Sequence, residues 1–161
     1  MRLIFIRHAI AVPASGGMRD EDRPLSLEGE QRFNQTARML ARVAQKPNAI
    51  LTSPHVRAQQ TAAIVAKAWG GMRPIVEPAL AEGDLPDICR ALTNYKGDDT
   101  IALVGHESWI SIITARLLGS RNHRAFDYRK GGVALVDVED LQAWKGTLLW
   151  FIPPRVFRRM D

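Results

Sequence analysis

The sequence predicts a single α/β domain built on a largely parallel sheet. Short apolar runs of strand length alternate along the chain with longer segments of helical periodicity, which is the order typical of layered α/β proteins. The apolar runs are continuous rather than alternating in polarity, as expected for strands that helices cover on both faces. The length of 161 residues, 46% of them hydrophobic, is enough for one core and short for two.

Six segments are predicted to be strands. They are residues 3–6, 49–52, 101–105, 133–138 and 147–152, with a weaker sixth segment at residues 74–76. The segments 133–138 and 147–152 follow each other with only a loop between them. We therefore expect a hairpin at that edge of the sheet.

Helical periodicity fills the intervals between the strands. Four apolar stripes have helical spacing, at residues 33–44, 58–69, 85–95 and 109–117, and the third is the weakest. Ser26 is a predicted N-cap for the first helix, and Gly70 and Gly119 end the second and fourth. Residues 11–24 form a polar loop rich in Pro and Gly, which is longer than a simple connection. We expect this loop to be a lip over a functional site.

Composition narrows the classes of function. The net charge of +5 favours anionic partners. The basic residues are scattered, however, with local clusters only at residues 121–124 and 155–160 and without the interleaved aromatic residues of a nucleic-acid surface. The single cysteine, Cys89, is predicted to be inert. Because no segment is apolar enough for a signal-peptide core or a membrane span, we expect a cytoplasmic protein that binds neither nucleic acid nor membranes.

Chemically active side chains follow three of the predicted strands at the point where each strand ends. Arg7 and His8 follow the first strand, Arg57 follows the second in the segment SPHVRAQQTA, and His106 follows the strand IALVG. Ligands of open α/β sheets gather at the carboxyl ends of the strands, so we expect these side chains to meet. Arginine forks match phosphate oxygens, and a neutral imidazole between them is a nucleophile. The set therefore indicates phosphoryl transfer.

This ordered set resembles the histidine phosphatase superfamily, also called phosphoglycerate mutase-like. The shared features are an RH pair on the first strand, an Arg in an SPxxRAxQTA segment and a His in a VGH segment. RPLSLEG at residues 23–29 is similar to the RPLT..G segment of the short, SixA-type phosphohistidine phosphatases, to which the resemblance is greatest. The resemblance implies a three-layer α/β/α sandwich with a mostly parallel central sheet, forming one histidine phosphatase domain over residues 1–161.

The resemblance also implies a role for each matching residue. His8 would be the nucleophile and would form a phosphohistidine intermediate. Arg7, Arg57 and His106 would bind the phosphate oxygens, with a further contact from Arg23. No metal or other cofactor is implied, because the arginines and a protonated His106 would supply the positive charge that Mg²⁺ supplies in other phosphoryl-transfer sites.

Two positions depart from the family pattern. Ala9 stands where the family usually has Gly, and we expect its methyl group to be tolerated. Larger relatives carry a carboxylate acid after the third strand; Glu82 is the candidate that the resemblance implies, and it is either that acid or an ordinary loop carboxylate. The other carboxylates in this segment are Glu77, Asp84 and Asp87. An alkoxide leaving group, with a pKa comparable to the roughly 15.7 of water, needs a proton, whereas an imidazole of pKa about 6.5 does not. The weak signal for an acid favours phosphoramidate substrates over alkyl phosphates.

Three functions follow from these residues. The first is a phosphatase that acts on phosphohistidine in a partner protein such as a phosphotransfer domain, because the chain is too short for the lid domain of larger relatives. The second is a phosphatase of small esters such as a sugar phosphate or nucleotide. The third is a phosphate-binding module without turnover.

Several residues are left with open interpretations. His55 and His123 match no catalytic position of the family, and we expect them at the surface or beside the substrate. A metal site at His8 and His106 is disfavoured because the arginines would repel a cation. The basic segment PPRVFRRM, residues 153–160, either docks on an acidic partner or packs back on the sheet.

Overall fold

A six-stranded sheet forms the centre of the molecule. The computed structural model describes residues 1–160. The strands are β1 (Arg2–Arg7), β2 (Ala49–Thr52), β3 (Ile75–Val76), β4 (Thr100–Gly105), β5 (Val133–Asp140) and β6 (Lys145–Ile152). Their order across the sheet is β3-β2-β4-β1-β5-β6. All six predicted strand segments are confirmed, and the weak one is the two-residue edge strand β3.

The direction of the strands brings three predicted site segments to one edge. β1, β2, β3 and β4 run parallel to one another, whereas β5 is antiparallel to β1 and pairs with β6 in the predicted hairpin. Arg7 at the end of β1 is in register with Gly105 at the end of β4, and Thr52 at the end of β2 is in register with Val104. The residues that follow these strands therefore leave the sheet side by side.

Helices cover both faces of the sheet, as the continuous apolar runs predict. Their bounds are α1 (Leu27–Val43), α2 (Val56–Ala68), α3 (Ala79–Glu82), α4 (Leu85–Leu92), α5 (Trp109–Leu117) and α6 (Pro154–Met160). Ile4 and Ile6 of β1 pack with α1, α2 and α6, whereas Leu3 and Phe5 pack with α3, α4 and α5. The predicted three-layer sandwich is confirmed. Among residues 1–160, no helix combines the length and the apolar character needed to cross a membrane.

The four helices predicted from periodicity are confirmed, and two more are present. α3 and α6 are only four and seven residues long, which is too short for an apolar stripe to stand out in the sequence. α6 contains the basic segment whose role the sequence left open. Its Phe157 is fully buried against the core that α1 and α2 form, so this segment packs back on the molecule.

The start of α1 fixes the course of the chain after β1. Ser26 is the N-cap, and its hydroxyl accepts a hydrogen bond from the N–H of Gly29 at 3.0 Å. The backbone N–H of Ser26 donates to the carbonyl oxygen of Ile10 at 3.0 Å. A Cβ at Gly29 would lie 2.0 Å from that same oxygen, so only glycine permits this approach. The loop that follows His8 is thereby held against the first turn of α1.

Candidate active site

His8 lies directly after β1 with its imidazole buried, and the ring is oriented by a hydrogen bond to the backbone. Nδ1 is 2.7 Å from the carbonyl oxygen of Ala9, so Nδ1 carries the proton and donates it. Nε2 then keeps its lone pair, and it faces the Nε–H of Arg57 at 3.3 Å. The backbone N–H of His8 donates to the oxygen of Gly105 at 2.9 Å, which anchors the residue to the end of β4.

The surroundings of His8 keep its imidazole neutral. Burial is the main cause and the positive charges of Arg57, Arg7 and Lys130 add to it, together lowering the pKa of His8 to about 4. At pH 7 the ring is therefore unprotonated at Nε2. A neutral imidazole with one fixed N–H and an unprotonated second nitrogen is the form that acts as a nucleophile.

Thr61 connects the segment that carries His8 with the helix that carries Arg57. Its hydroxyl accepts a hydrogen bond from the N–H of Ala9 at 3.0 Å and donates to the carbonyl oxygen of Arg57 at 2.7 Å. Ala9 itself does not adopt a positive φ, so an alanine fits where the family usually has glycine. Thr61 was not singled out from the sequence.

Arg57 is the second residue of α2 and is almost fully buried. Its Nη1 donates to the backbone oxygen of Asp20 at 2.5 Å, and its Nη2 donates to the carboxylate Oδ2 of Asp20 at 2.8 Å. With its Nε directed at His8, the guanidinium spans from the imidazole to the loop above it. This loop is part of the predicted lip, and its turn Asp20–Asp22 lies against Arg57.

Asp20 links two of the predicted phosphate-binding arginines. Its Oδ1 accepts from Nη1 of Arg23 at 2.7 Å while its Oδ2 accepts from Arg57. The hydrogen bond from Arg23, reinforced by Arg57, lowers the pKa of Asp20 to about 2. Arg23 also donates from Nε to the oxygen of Val12 at 2.8 Å. Arg23 thus reaches the site through the carboxylate of Asp20, and its direct contact with phosphate stays a prediction.

His106 follows β4 and stands next to His8. The two ring centroids are 5.1 Å apart and the rings are tilted by 56°. Nε2 of His106 is 2.7 Å from the hydroxyl of Ser53, which follows β2. Nδ1 is buried and has no hydrogen-bond partner within residues 1–160. Burial, with the nearby His8 and Arg57, lowers the pKa of His106 to about 3. Without a bound anion, these surroundings therefore favour the neutral form of His106. The sequence analysis expected the protonated form.

His55 lies on the other side of His106. It occupies the N-cap position of α2, and its ring centroid is 4.6 Å from that of His106. The sequence did not decide whether His55 lies at the surface or beside the substrate, and the structure places its ring against that of His106. We call Arg7, His8, Arg57 and His106 together the cluster. His123 lies instead in the short turn His123–Ala125.

Arg7 ends β1 and presents a buried donor. Its Nη1 donates to the carbonyl oxygen of Tyr128, whereas its Nε is buried with no hydrogen-bond partner in the described part of the chain. Burial lowers the pKa of Arg7, but an arginine keeps its charge at any physiological pH. Buried donors normally have a partner, so this N–H is an exception among the buried donors of residues 1–160.

Three of the four carboxylates that follow β3 make contacts with residues close to them in the sequence. Glu77 accepts from a backbone N–H of α3 at 3.1 Å, Asp84 caps α4, and Asp87 pairs with Arg90. Glu82 ends α3 and its side chain is exposed. Its role as a general acid stays a prediction. Across residues 1–160, no group of three or more His, Cys, Asp or Glu side chains is arranged to hold a metal ion.

Comparisons with known proteins relate the chain to one family. Residues 3–89 match the model of the histidine phosphatase superfamily, branch 1. An uncharacterised protein of Picosynechococcus sp. is 35% identical over 140 residues, which cover 83% of this chain and 82% of that protein.

Solved structures share the fold over almost the whole chain. A candidate phosphohistidine phosphatase SixA from Agrobacterium tumefaciens has a TM-score of 0.81 at 23% identity, covering 95% of this chain and 97% of that one. The protein histidine phosphatase SixA in complex with tungstate has a TM-score of 0.79 at 25% identity, with 97% and 99% covered. A mycobacterial glucosyl-3-phosphoglycerate phosphatase reaches 0.74 at 16% identity, with 94% and 98% covered. The fold is thus shared by phosphatases with different substrates.

Proposed function

Since this chain is a phosphatase that belongs to the histidine phosphatase superfamily, branch 1, we propose that it removes the phosphoryl group from phosphohistidine on a partner protein. The observation that carries this proposal is the state of His8. Its Nδ1–H is held by the oxygen of Ala9, and its Nε2 lone pair faces a buried guanidinium. That arrangement orients a neutral nucleophile toward a phosphorus atom whose oxygens the cations would neutralise.

In the first step, Nε2 of His8 attacks the phosphorus of the substrate. The Nε2–P bond forms while the P–N bond to the substrate imidazole breaks, and the electron pair of that bond stays on the substrate nitrogen. The substrate ring leaves as neutral imidazole when its other nitrogen carries a proton. Because the lone pair of Nε2 is then used for bonding, the Nε–H of Arg57 turns from Nε2 to a phosphate oxygen. The unpartnered Nε–H of Arg7 supplies a second donor to these oxygens.

His106 would complete the set of donors only when the phosphate is present. Its neutral state at pH 7 follows from burial among positive groups, and a phosphate dianion beside it would raise its pKa again. His106 would therefore take up a proton together with the substrate. In the second step, water attacks the phosphorus, the P–Nε2 bond breaks with its electron pair returning to His8, and inorganic phosphate leaves.

The ionised state of the carboxylate nearest the cluster supports phosphohistidine over an alkyl phosphate. The carboxylate that touches the cluster, Asp20, has a pKa of about 2 and so carries no proton at pH 7. An alkoxide leaving group would need such a proton in the transition state, whereas an imidazole can leave without a strong acid. A small-ester substrate would require Glu82 or another proton donor to reach the leaving group.

Trapping of the phosphoenzyme tests the nucleophile. Wild-type protein incubated with a ³²P-phosphohistidine phosphotransfer domain should acquire label that is stable to base and lost in acid. His8→Ala should acquire none, and the matched control His123→Ala should be labelled like wild type. Label on His8→Ala would contradict the role of His8.

A comparison of leaving groups tests the substrate class. Wild type and Glu82→Gln should be assayed on the phosphohistidine domain and on p-nitrophenyl phosphate and a sugar phosphate. We expect the wild type to prefer the phosphohistidine domain and Glu82→Gln to keep that activity while any ester hydrolysis declines. Equal loss on both substrates would reject the leaving-group explanation, and a preference for the sugar phosphate would reject the proposed substrate.

A further inference from the structure

A groove of about 830 Å³ opens beside the end of β1. Six of the side chains that line it are cationic, and the lining also contains the carboxylate of Asp127. We call this surface the basic groove, and its cations are Arg7, Arg32, Arg129, Lys130, Arg155 and Arg158. So many like charges along one concave surface create a field that concentrates anions.

The groove is formed by segments that are far apart in the sequence and that pack on the core of the domain. Its cations come from the end of β1, from α1, from the loop before β5 and from α6. α6 is fixed by Phe157, which is fully buried and meets the ring of Trp150 edge to face with centroids 6.5 Å apart. Arg155 and Arg158 flank Phe157 on this helix. Because their backbone is already ordered, binding through them orders the side chains but requires no ordering of the main chain.

Four of these six cations form no ion pair within residues 1–160. Arg32 pairs with Glu28, and Arg129 pairs with Asp127 at 2.8 Å. The cations that form no ion pair with a carboxylate of residues 1–160 are Arg7, Lys130, Arg155 and Arg158. The groove therefore keeps a net positive charge that an external anion can neutralise.

The groove adjoins the candidate catalytic cluster through Arg7. Arg7 lines it and directly precedes His8. The N–H of Gly131 donates to the carbonyl oxygens of both Arg7 and His8, each at 3.1 Å. This contact holds the adjoining Lys130 beside the end of β1. Residues next to a phosphorylated side chain bound at His8 would therefore lie within reach of this groove.

The uncharged part of the lining favours a polypeptide as occupant. Ile10, Pro153 and Pro154 offer apolar surface to main chain and methylene groups, which a free phosphate does not have. Phe151 is the single aromatic residue lining the groove within residues 1–160, and its ring already packs against Tyr128 with centroids 4.7 Å apart. Single-stranded nucleic acids require a series of exposed rings for stacking. An acidic polypeptide fits both parts of the lining.

We infer that the basic groove binds carboxylate side chains that flank the phosphohistidine of the partner protein, an assignment that rests on the proposed function. The groove selects the substrate by charge, and the cluster around His8 carries out the transfer. Exposed ion pairs contribute little singly, so the selection comes from several cations acting together.

A matched pair of peptides tests this assignment. Each carries one phosphohistidine, flanked in one peptide by glutamates and in the other by glutamines, and phosphoimidazole serves as a substrate without flanks. The variants are Arg155→Gln/Arg158→Gln in the groove and, as a control of equal charge change, Lys67→Gln/Arg73→Gln, which are exposed near the opposite edge strand β3. The readout is kcat/KM at low ionic strength.

Wild type and control should prefer the glutamate peptide by about fivefold, whereas the groove variant should lose most of that preference through KM and keep wild-type turnover of phosphoimidazole. An unchanged preference in the groove variant, or none in wild type, would overturn the assignment while leaving the proposed function intact. Failure of wild type to hydrolyse either peptide or phosphoimidazole would reject the proposed function itself. Stronger inhibition by an oligonucleotide than by polyglutamate of equal charge would also overturn the choice of occupant.

Discussion

The candidate catalytic cluster and the basic groove both contain positive charge, but the charged side chains of the two regions differ in burial and in hydrogen bonding. His8, Arg57 and His106 are each 7% exposed, and each makes a defined contact with an identified atom. Arg155 and Lys130 of the groove are exposed and form no ion pair with residues 1–160.

The difference follows from solvation. A buried polar or charged group destabilises the protein unless it is hydrogen-bonded, so few arrangements of the cluster are possible. An exposed cation is solvated by water and needs no partner, so its position is loosely determined and it acts through the summed field. In the proposed mechanism, the chemistry therefore depends on individual contacts, whereas the proposed selection of a partner depends on total charge.

The largest effect is expected from Arg57→Ala. Loss of this guanidinium removes a donor to the transferring phosphoryl group and should lower kcat/KM at least about 100-fold. Because the contact is part of the chemistry, the loss should be similar for the glutamate peptide, the glutamine peptide and phosphoimidazole. Arg90→Ala, an exposed arginine of α4, is the control and should behave like wild type. A loss confined to the glutamate peptide would place Arg57 in the docking surface instead.

Lowering the pH should reduce the stability of the fold through the histidines of the cluster and not through the arginines of the groove. The pKa values of His8 and His106 are lowered to about 4 and about 3, below the roughly 6.5 of an unfolded histidine. The unfolded chain therefore binds more protons, so stability is fully present above pH 6.5 and is lost as the pH falls toward 4. At pH 5 each imidazole should account for about 2 kcal/mol of this loss.

Denaturant unfolding at pH 7 and pH 5 measures that loss. His106→Gln should lose about 2 kcal/mol less than wild type between the two pH values. Arg155→Gln should lose as much as wild type, because arginine does not titrate in this range. If His106→Gln and wild type lost equal stability, the imidazole of His106 would not be held neutral by its surroundings.

Substitution of Asp20 tests whether the loop of residues 11–24 holds the side chains of the cluster in position. Asp20→Ala removes the carboxylate that binds both Arg57 and Arg23, so the guanidinium of Arg57 becomes less ordered. We expect kcat to fall about tenfold, the scale of one charge-assisted hydrogen bond lost from a supporting group. Asp22→Ala, in the same turn and paired with Arg19, should keep wild-type kcat. A lower KM with unchanged kcat would show instead that Asp20 competes with the substrate.

Salt should have the smallest effect and should act on the groove. Raising the ionic strength from about 0.01 M to about 0.1 M shortens the Debye length from about 30 Å to about 10 Å. We expect kcat/KM for the glutamate peptide to fall about threefold more than for phosphoimidazole, since exposed charges are screened more than buried ones. Equal salt dependence for both substrates would remove the distinction between the two regions.

The cluster was predictable because its residues lie where apolar strands end. Arg7, His8, Arg57 and His106 each follow a run that reads as a buried strand, and the parallel pairing of those strands brings them to one edge. The sequence also predicted five of the six strands strongly, since continuous apolar runs are a robust signal.

The groove and the lip contact were not predictable in the same way. The cations of the groove come from widely separated segments, so no linear pattern joins them. Asp20 stands in the acidic stretch DED, where only the fold distinguishes the carboxylate that meets Arg57 from its neighbours. Its one signal was its place in a loop predicted to cover the site. Thr61 reads as an ordinary residue of the apolar stripe in α2, and its role depends on the approach of Ala9.

Gly29 touches no substrate in the mechanism proposed above, yet the oxygen of Ile10 would lie 2.0 Å from any Cβ placed there. A substitution at this position would therefore affect the reaction through backbone packing, because a bulkier residue would push the segment after His8 out of place. Among homologous enzymes, constancy at this glycine would report the shape of the scaffold and should not be counted as evidence for a shared substrate.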